Sequence, residues 1–522
     1  MLLENLPKFA GTDRLAIVCA AEQMTYRELW ERTRALAWFL KDNYPSRRPL
    51  AIYGDRENDI IVATFAAIAA AKPYVVISDR YPEDRIRHIL AHCEAELVLS
   101  TSKKAFNFGL PAVPAGEIDR FVEIYGKRAA PTVNYSPDDT ACIVYTSGST
   151  GEPKGVEVSY RNVEERASVT AKRTAGRMSA DTAKPLVFCT CNLFPYSAVA
   201  STEYFGVLGV LGGVWHAAPA AVIADTERLL QYYKEAEPGW TLLSPTLAKK
   251  LLSHPDFNGD TLPALRLVYF GGEAVTVDLV GEMRKRLPNI KMYNLYSASE
   301  VFAVCLGCLI TEETVSKGDR YFPVNDGTFP FLILVDENNV PITEEGREGE
   351  LAFRSDMVTK GYYKNPELTE KVYFTLPDGT RAYRTGDIGV RRGRYTYIVG
   401  RRDNQVKIGA NRIELEDVEA HLLQCTAVRD CAAAVGTDED GVNSLVAYVV
   451  PTPEAAAQKR LDVFLQIKSE MMASVECYKV PQKIVFLDEL PRSINGKLDR
   501  QHLRRMANEC VRPVSFGDRT DA

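Results

Sequence analysis

YTSGSTGEPKG, residues 145–155, packs two serines, two threonines, three glycines and one lysine into eleven positions. Ile143 and Val144, just before it, predict a short buried strand bounded by turn-formers. A turn rich in glycine and hydroxyls that leaves a strand gathers backbone N–H groups and O–H groups in one place, which suits phosphate. A Walker loop would need Gly-Lys-Ser/Thr running into a helix. Here Lys154 lies between Pro153 and Gly155, a poor way to open a helix. On this segment alone two readings stay open: a phosphate loop of another kind, or a flexible turn.

The bulk composition narrows the classes. At 522 residues the chain is too long for one hydrophobic core, so at least two domains are expected. Apolar residues at 46% and charged residues at 25% fit a soluble globular enzyme. A net charge of −6 without a long basic run argues against a nucleic-acid partner. Eleven cysteines are scattered, and Cys142, Cys189, Cys191 and Cys305 sit in apolar runs, which reads as reduced, buried thiols in a cytoplasmic protein. Cys305 and Cys308 make a lone CxxC, best explained by core packing. The N-terminus has no basic start followed by a long apolar stretch, so no signal peptide is expected. The longest apolar run, residues 60–71, is too short to cross a bilayer and predicts a buried helix; no membrane partner is expected.

Through about residue 400, strand-like and helix-like stretches alternate, which predicts α/β layers. Residues 25–41 carry Leu29, Leu36, Phe39 and Leu40 at helical spacing, with Thr25 as a cap. Residues 49–54 read as a strand, and residues 350–354 and 395–399 as strands among glycine-rich turns. The expected fold is therefore α/β: a large N-terminal domain of layered α/β subdomains plus a β-rich part, residues 1–402, then a small C-terminal α+β domain, residues 403–522.

More blocks follow in order: TYRELWERTRALA (25–37), AKPYVVISDRYPEDR (71–85), YFGGEAV (269–275), NLYSASE (294–300) and GELAFRSDMVTKGYYKNPELT (349–369). YRTGD (383–387), GRRDNQVKIGANRIELEDVE (400–419) and NGKLDR (495–500) complete the series. Together with residues 145–155 they resemble the adenylate-forming superfamily, which includes nonribosomal-peptide-synthetase adenylation domains, acyl-CoA and aryl-acid ligases, D-alanine–carrier ligases and luciferases. The resemblance covers about residues 20–505. It implies a carboxylate attacking the α-phosphate of ATP, two anions whose repulsion is relieved by N–H groups, hydroxyls, lysine and Mg2+. It places Thr146, Ser147, Gly148, Ser149, Thr150, Gly151 and Lys154 at the phosphates, and Glu300 with the Mg2+. It assigns Gly271, Gly272, Glu273, Asn294, Tyr296, Ser297 and Ser299 to the nucleotide, with Tyr296 stacked on the adenine. It assigns Asp387 to the ribose hydroxyls and Arg401 to a phosphate or ribose contact. Asp403 falls at the family's hinge, which implies a mobile small domain. Lys497 matches the lysine that bridges carboxylate and α-phosphate, so Lys497, Thr146 and Glu300 are the expected catalytic residues.

Three blocks depart from the family's pattern. The usual Tyr-Gly-Pro-Thr-Glu reads Tyr-Ser-Ala-Ser-Glu at 296–300, and the usual Ile-Arg-Gly-x-Arg reads Ile-Gly-Ala-Asn-Arg at 408–412. Amino-acid-activating members carry Phe-Asp-x-Ser, whose aspartate pairs with the α-ammonium. Residues 188–205 hold no aspartate, and their only acid is Glu203. Asn192 and the residues after it are similar to aryl-acid-activating domains, where an asparagine could hydrogen-bond a ring substituent. Asn192, Pro195, Ala198, Val199, Leu242, Val268, Phe270, Leu295, Ala303 and Val304 are the expected pocket, which favours a small acid with an apolar or aromatic body. Activation of an aryl acid, alkyl acid or atypical amino acid with ATP and Mg2+ is expected. No phosphopantetheine attachment site follows residue 497, so a separate carrier protein is the expected thiol partner. Coenzyme A is the alternative acceptor, and a non-catalytic nucleotide-binding member the alternative of another class.

Overall fold

The computed structural model describes residues 2–19, 22–146, 153–178, 189–302, 306–315, 321–355, 357–402, 405–409, 411–439, 441–492 and 498–511. Ser147, Gly148, Ser149, Thr150, Gly151, Ala303, Val304, Asp403 and Lys497 lie outside them.

Two compact units make up the chain: one takes in residues 1–80, 86–146 and 154–402, and the other takes in residues 81–85, 147–153 and 403–522. Among the described residues the first unit holds three sheets. The eight-stranded one runs Leu306–Leu309, Lys291–Tyr296, Leu267–Phe270, Trp240–Leu243, Cys189–Asn192, Val214–Ala217, Leu15–Cys19, Glu22–Thr25 from edge to edge. The seven-stranded one runs Gly361–Tyr362, Lys154–Ser159, Thr140–Thr146, Tyr74–Ile77, Leu50–Tyr53, Leu97–Ser100, Ala112–Pro114. In both, the central strands are parallel and joined through helices, as the alternation predicts. A six-stranded antiparallel sheet between residues 332 and 401 is the β-rich part.

Local sequence explains the flanking helices. Tyr26–Asn43 opens with a complete capping box: Thr25 accepts from the backbone N–H of Glu28, and the Glu28 side chain accepts from the N–H of Thr25. Asn58–Ala69 is apolar all round, and all but one of its residues are buried. Lys154 begins the strand Lys154–Ser159, antiparallel to Thr140–Thr146 with Thr146 opposite Lys154. The segment 145–155 is thus framed by two strands, whereas a Walker loop runs from strand into helix.

The second unit holds the hairpin Gln405–Ile408 and Asn411–Glu414 and a three-stranded sheet, Val428–Thr437, Asn443–Pro451 and Lys483–Phe486, with helices on both faces. Alternation divides its core: Cys431, Ala433, Leu445 and Ala447 face one cluster, and Ala432, Ala434, Val446 and Tyr448 the other. On the latter face a Cβ on Gly436 would sit 2.3 Å from the Ala507 carbonyl oxygen, so the helix Arg500–Val511 rests directly on that strand.

Candidate active site

The strand Lys291–Tyr296 belongs to the first sheet, and the short helical turn Ser299–Val301 that follows it meets the seven-stranded sheet through Glu300 and Tyr362. Tyr296 is 4% exposed, and its hydroxyl donates to Asp387 Oδ2 at 2.5 Å. The other carboxylate oxygen of Asp387 accepts from Arg401 Nη1 at 2.5 Å, and Arg401 Nη2 donates to the Thr385 carbonyl. Asp387 and Arg401 face each other across one antiparallel strand pair of the third sheet, which is why residues fourteen positions apart meet. Burial, then the Asp387 carboxylate, push the Tyr296 phenol well above its ordinary range, so it remains a donor. Its ring stacks on Phe353, with centroids 5.5 Å apart. These two bonds leave further lone-pair sites on the Asp387 carboxylate.

Glu300 is 1% exposed. Its Oε1 accepts from the Tyr362 hydroxyl at 2.8 Å, and its carbonyl accepts from the N–H and hydroxyl of Thr359, at 3.0 and 2.7 Å. Lys154 Nζ lies 6.0 Å from the centroid of the same Tyr362 ring. Thr146 and Lys154 are level across their strand pair, and the Tyr145 hydroxyl is hydrogen-bonded to His92 Nδ1 at 2.7 Å. Thr146, Lys154 and Glu300 thus come from the two larger sheets, with Glu300 and Lys154 gathered around Tyr362.

Gly271 stands where a Cβ would meet Leu242 Cδ1 at 3.3 Å and Leu295 Cβ at 3.9 Å. The bare glycine leaves an apolar notch between those side chains. Gly272 follows it in the turn. Glu273 binds its own framework: its carboxylate accepts from the Thr246 N–H and hydroxyl at the start of the helix Pro245–Leu252. Asn294 is also structural, its amide donating to the carbonyls of Phe322 and Pro323. Ser297 is exposed and Ser299 half-buried.

The pocket expected from sequence needs two corrections. Val268 and Phe270 are fully buried in the cluster with Leu243, Leu251 and Leu279, on the face of the sheet away from Leu242 and Leu295. Side chains alternate along a strand, so the residues on the Leu242 and Leu295 face are Tyr269 and Gly271. Asn192 is 4% exposed, and its amide closes its own turn: Nδ2 donates to the Phe194 carbonyl and Oδ1 accepts from the Phe194 N–H. Pro195, Ala198 and Val199 are half-buried in the segment after it.

Glu203 is 2% exposed and fully engaged. Arg166 and Arg173 donate to its Oε1 at 2.9 and 2.7 Å, and the Thr170 hydroxyl to its Oε2 at 2.6 Å. Burial alone would raise its pKa; the two guanidiniums outweigh that and hold it at about 2. Arg173 also lies over the Tyr269 ring, 4.7 Å from its centroid. Arg166 reaches the carbonyl of Phe302, a residue held at φ +44° beside Glu300. Sequence reading missed Arg166, Thr170 and Arg173, although their i, i+4, i+7 spacing on Tyr160–Met178 places them on one helix face. It also missed Tyr362 and Thr359, which carry no local signal.

Comparison with known proteins gives a consistent picture. The family model for AMP-binding enzymes matches residues 7–363, and that for the AMP-binding enzyme C-terminal domain matches residues 417–497. A D-alanine–D-alanyl carrier protein ligase of Bacillus mycoides is 30% identical over 511 residues, covering 96% of this chain and 98% of that protein. The Bacillus licheniformis ligase of the same name is 27% identical, covering 96% and 99%. Among solved structures, the Vibrio cholerae adenylation domain AlmE in complex with glycyl-adenosine-5'-phosphate superposes with a TM-score of 0.79 at 20% identity, covering 97% of each chain. An NRPS protein containing adenylation and PCP domains gives 0.76 at 24% identity, covering 97% of this chain and 84% of that one.

Proposed function

The chain belongs to the AMP-binding enzyme family, and from that premise we propose that it is an AMP-forming ligase that activates a small carboxylic acid for transfer to a carrier-protein thiol. A carboxylate oxygen attacks the α-phosphorus of ATP and pyrophosphate leaves. A thiolate then attacks the acyl carbon and AMP leaves. The observation that carries this reading is the buried Asp387 carboxylate between Tyr296 and Arg401, at the position assigned to the ribose hydroxyls.

Residues 146–151 and Lys154 are assigned to the phosphates, and Lys497 to the charge that develops between carboxylate and α-phosphate. Glu300 would hold Mg2+, which when bound neutralises phosphate charge. Among the described residues no three His, Cys, Asp or Glu side chains cluster as a metal site.

The acid is assigned an apolar or aromatic body, because Leu242, Tyr269 and Leu295 share a face and Glu203 is already paired with two arginines. An ammonium brought there would be costly to bury without a carboxylate of its own. A second reading, a small amino acid, is favoured by the names of the D-alanine–D-alanyl carrier protein ligases. ATP–pyrophosphate exchange over benzoates, alkyl acids, D-alanine and other amino acids decides between them. The first reading predicts at least a tenfold preference for a des-amino or aryl acid. A tenfold preference for an α-amino acid over its des-amino analogue replaces it with the second, and no exchange with any acid sinks both. Transfer to a carrier protein in preference to free coenzyme A tests the acceptor.

A further inference from the structure

Tyr362 ends the two-residue strand Gly361–Tyr362, paired antiparallel with Lys154–Ser159 so that Tyr362 faces Val156. Lys154 is two residues from Val156, so its side chain emerges on the same face as Tyr362, one diagonal step away. The phenol is 7% exposed and fixed from several sides. Its hydroxyl donates to Glu300 Oε1 at 2.8 Å, its ring meets Tyr373 edge-on at 5.9 Å, and Lys154 Nζ stands 6.0 Å from the ring centroid. The Thr359 hydroxyl shares a 2.8 Å hydrogen bond with the Tyr373 hydroxyl and donates to the Glu300 carbonyl. Glu300 is therefore clamped at its carbonyl by Thr359 and at its carboxylate by Tyr362.

We propose that Tyr362 is a positioning residue that sets the spacing of two opposite charges: its hydroxyl fixes the rotamer of Glu300, and its ring backs the ammonium of Lys154. A carboxylate on a freely turning side chain would have to be ordered whenever a metal–ATP complex bound. One already held by a phenol that is itself held does not carry that cost. The ring beneath Lys154 gives the ammonium a weak cation–π contact near the outer limit of its range, enough to bias direction but little more. One side chain can thus act separately on cation affinity, through its oxygen, and on nucleotide affinity, through its ring.

The proposal rests on the adenylation reading, and two variants separate its parts. Tyr362→Phe keeps the ring and removes the oxygen; Tyr362→Leu removes both. Binding of Mn2+ in the presence of a non-hydrolysable ATP analogue is followed by electron paramagnetic resonance, alongside ATP–pyrophosphate exchange, with circular dichroism as the check on folding. In Tyr362→Phe, Mn2+ binding should weaken about tenfold, the size expected for one hydrogen bond to a charged group, while affinity for the metal-free nucleotide analogue, read by titration calorimetry in chelator, stays within about twofold. Tyr362→Leu should add a several-fold loss of that metal-free affinity. Unchanged Mn2+ affinity in Tyr362→Phe overturns the assignment, as does an equal loss of Mn2+ and nucleotide binding, which is the mark of general loosening. Should the Leu variant not fold, the Phe variant decides alone. Wild-type protein that binds no metal–nucleotide complex overturns the adenylation reading together with this one.

Discussion

Replacing Glu203 by Gln leaves Arg166 and Arg173 facing each other in a site where all three side chains are nearly inaccessible. Removing one partner of a buried ion cluster costs roughly 3–5 kcal/mol, and urea unfolding of Glu203→Gln should show a loss of that order. Acid acts on the same group. Its folded pKa of about 2 lies below the ordinary 4.5, so its stabilisation is complete above 4.5 and fades as pH falls toward 2. The wild type should lose stability over that window, and the Gln variant should lose less. Asp387→Asn is a different case, since an amide can accept at only one of the two positions and turns a donor toward Arg401. KM for ATP should rise on the order of a hundredfold, the loss of two charge-assisted hydrogen bonds, with circular dichroism unchanged; an unaffected KM would remove Asp387 from the nucleotide site. At this scale sequence is a partial guide. The motif residues Tyr296, Glu300 and Asp387 can be picked out because their spacing within blocks is fixed. Arg166, Thr359 and Tyr362 cannot, because each acts across sequence gaps of 37, 59 and 62 residues that only the folded chain closes.

Elements follow more closely from sequence, since their signals are local. The capping box at Thr25, the all-apolar helix Asn58–Ala69 and the strand Leu50–Tyr53 are set by residues within a few positions of one another. The pocket strand shows where that reading stops. Leu267–Phe270 is apolar at every position and buried on both faces, so nothing in its composition says which alternate residues look toward the site. A shift of one residue exchanges the faces, which is how Val268 and Phe270 stand in for Tyr269 and Gly271. Two expected outcomes belong to elements. Gly436→Ala forces the helix Arg500–Val511 away from its strand and should destabilise the second unit by about 1–3 kcal/mol, read as a lower urea midpoint. On the strand Val214–Ala217, burial lowers the pKa of His216 from 6.5 to about 4. The unfolded chain therefore binds this proton first, and stability falls as pH drops from 6.5 toward 4. His216→Gln should flatten that limb of the pH–stability curve.

Over the whole molecule the division at residue 403 is what the two half-reactions test. Proline fixes φ near −65°, so Asp403→Pro should let one half-reaction proceed and block the other: adenylation, read by pyrophosphate exchange, persists while acyl transfer to a carrier protein fails. A parallel loss of both rates would place the hinge elsewhere. The existence of two units is foreseeable from length and from the change in pattern near residue 400, whereas their cores are not, because a core is assembled from distant strands. In the first unit one cluster unites Ile17, Trp215 and Tyr269 with Leu50, Ile52 and Val158 and with Leu351, Phe353 and Tyr383, a member set drawn from all three sheets. The second unit buries its own clusters between residues 408 and 511. Heat should reveal that partition. Three sheets that share one interior have no seam along which to come apart, so residues 1–402 should give a single endotherm whose calorimetric and van't Hoff enthalpies agree, with a smaller endotherm from the remainder. Nucleotide, bound by the native form alone, should raise the larger transition in proportion to the logarithm of its concentration, which makes scanning calorimetry a ligand assay that needs no substrate acid.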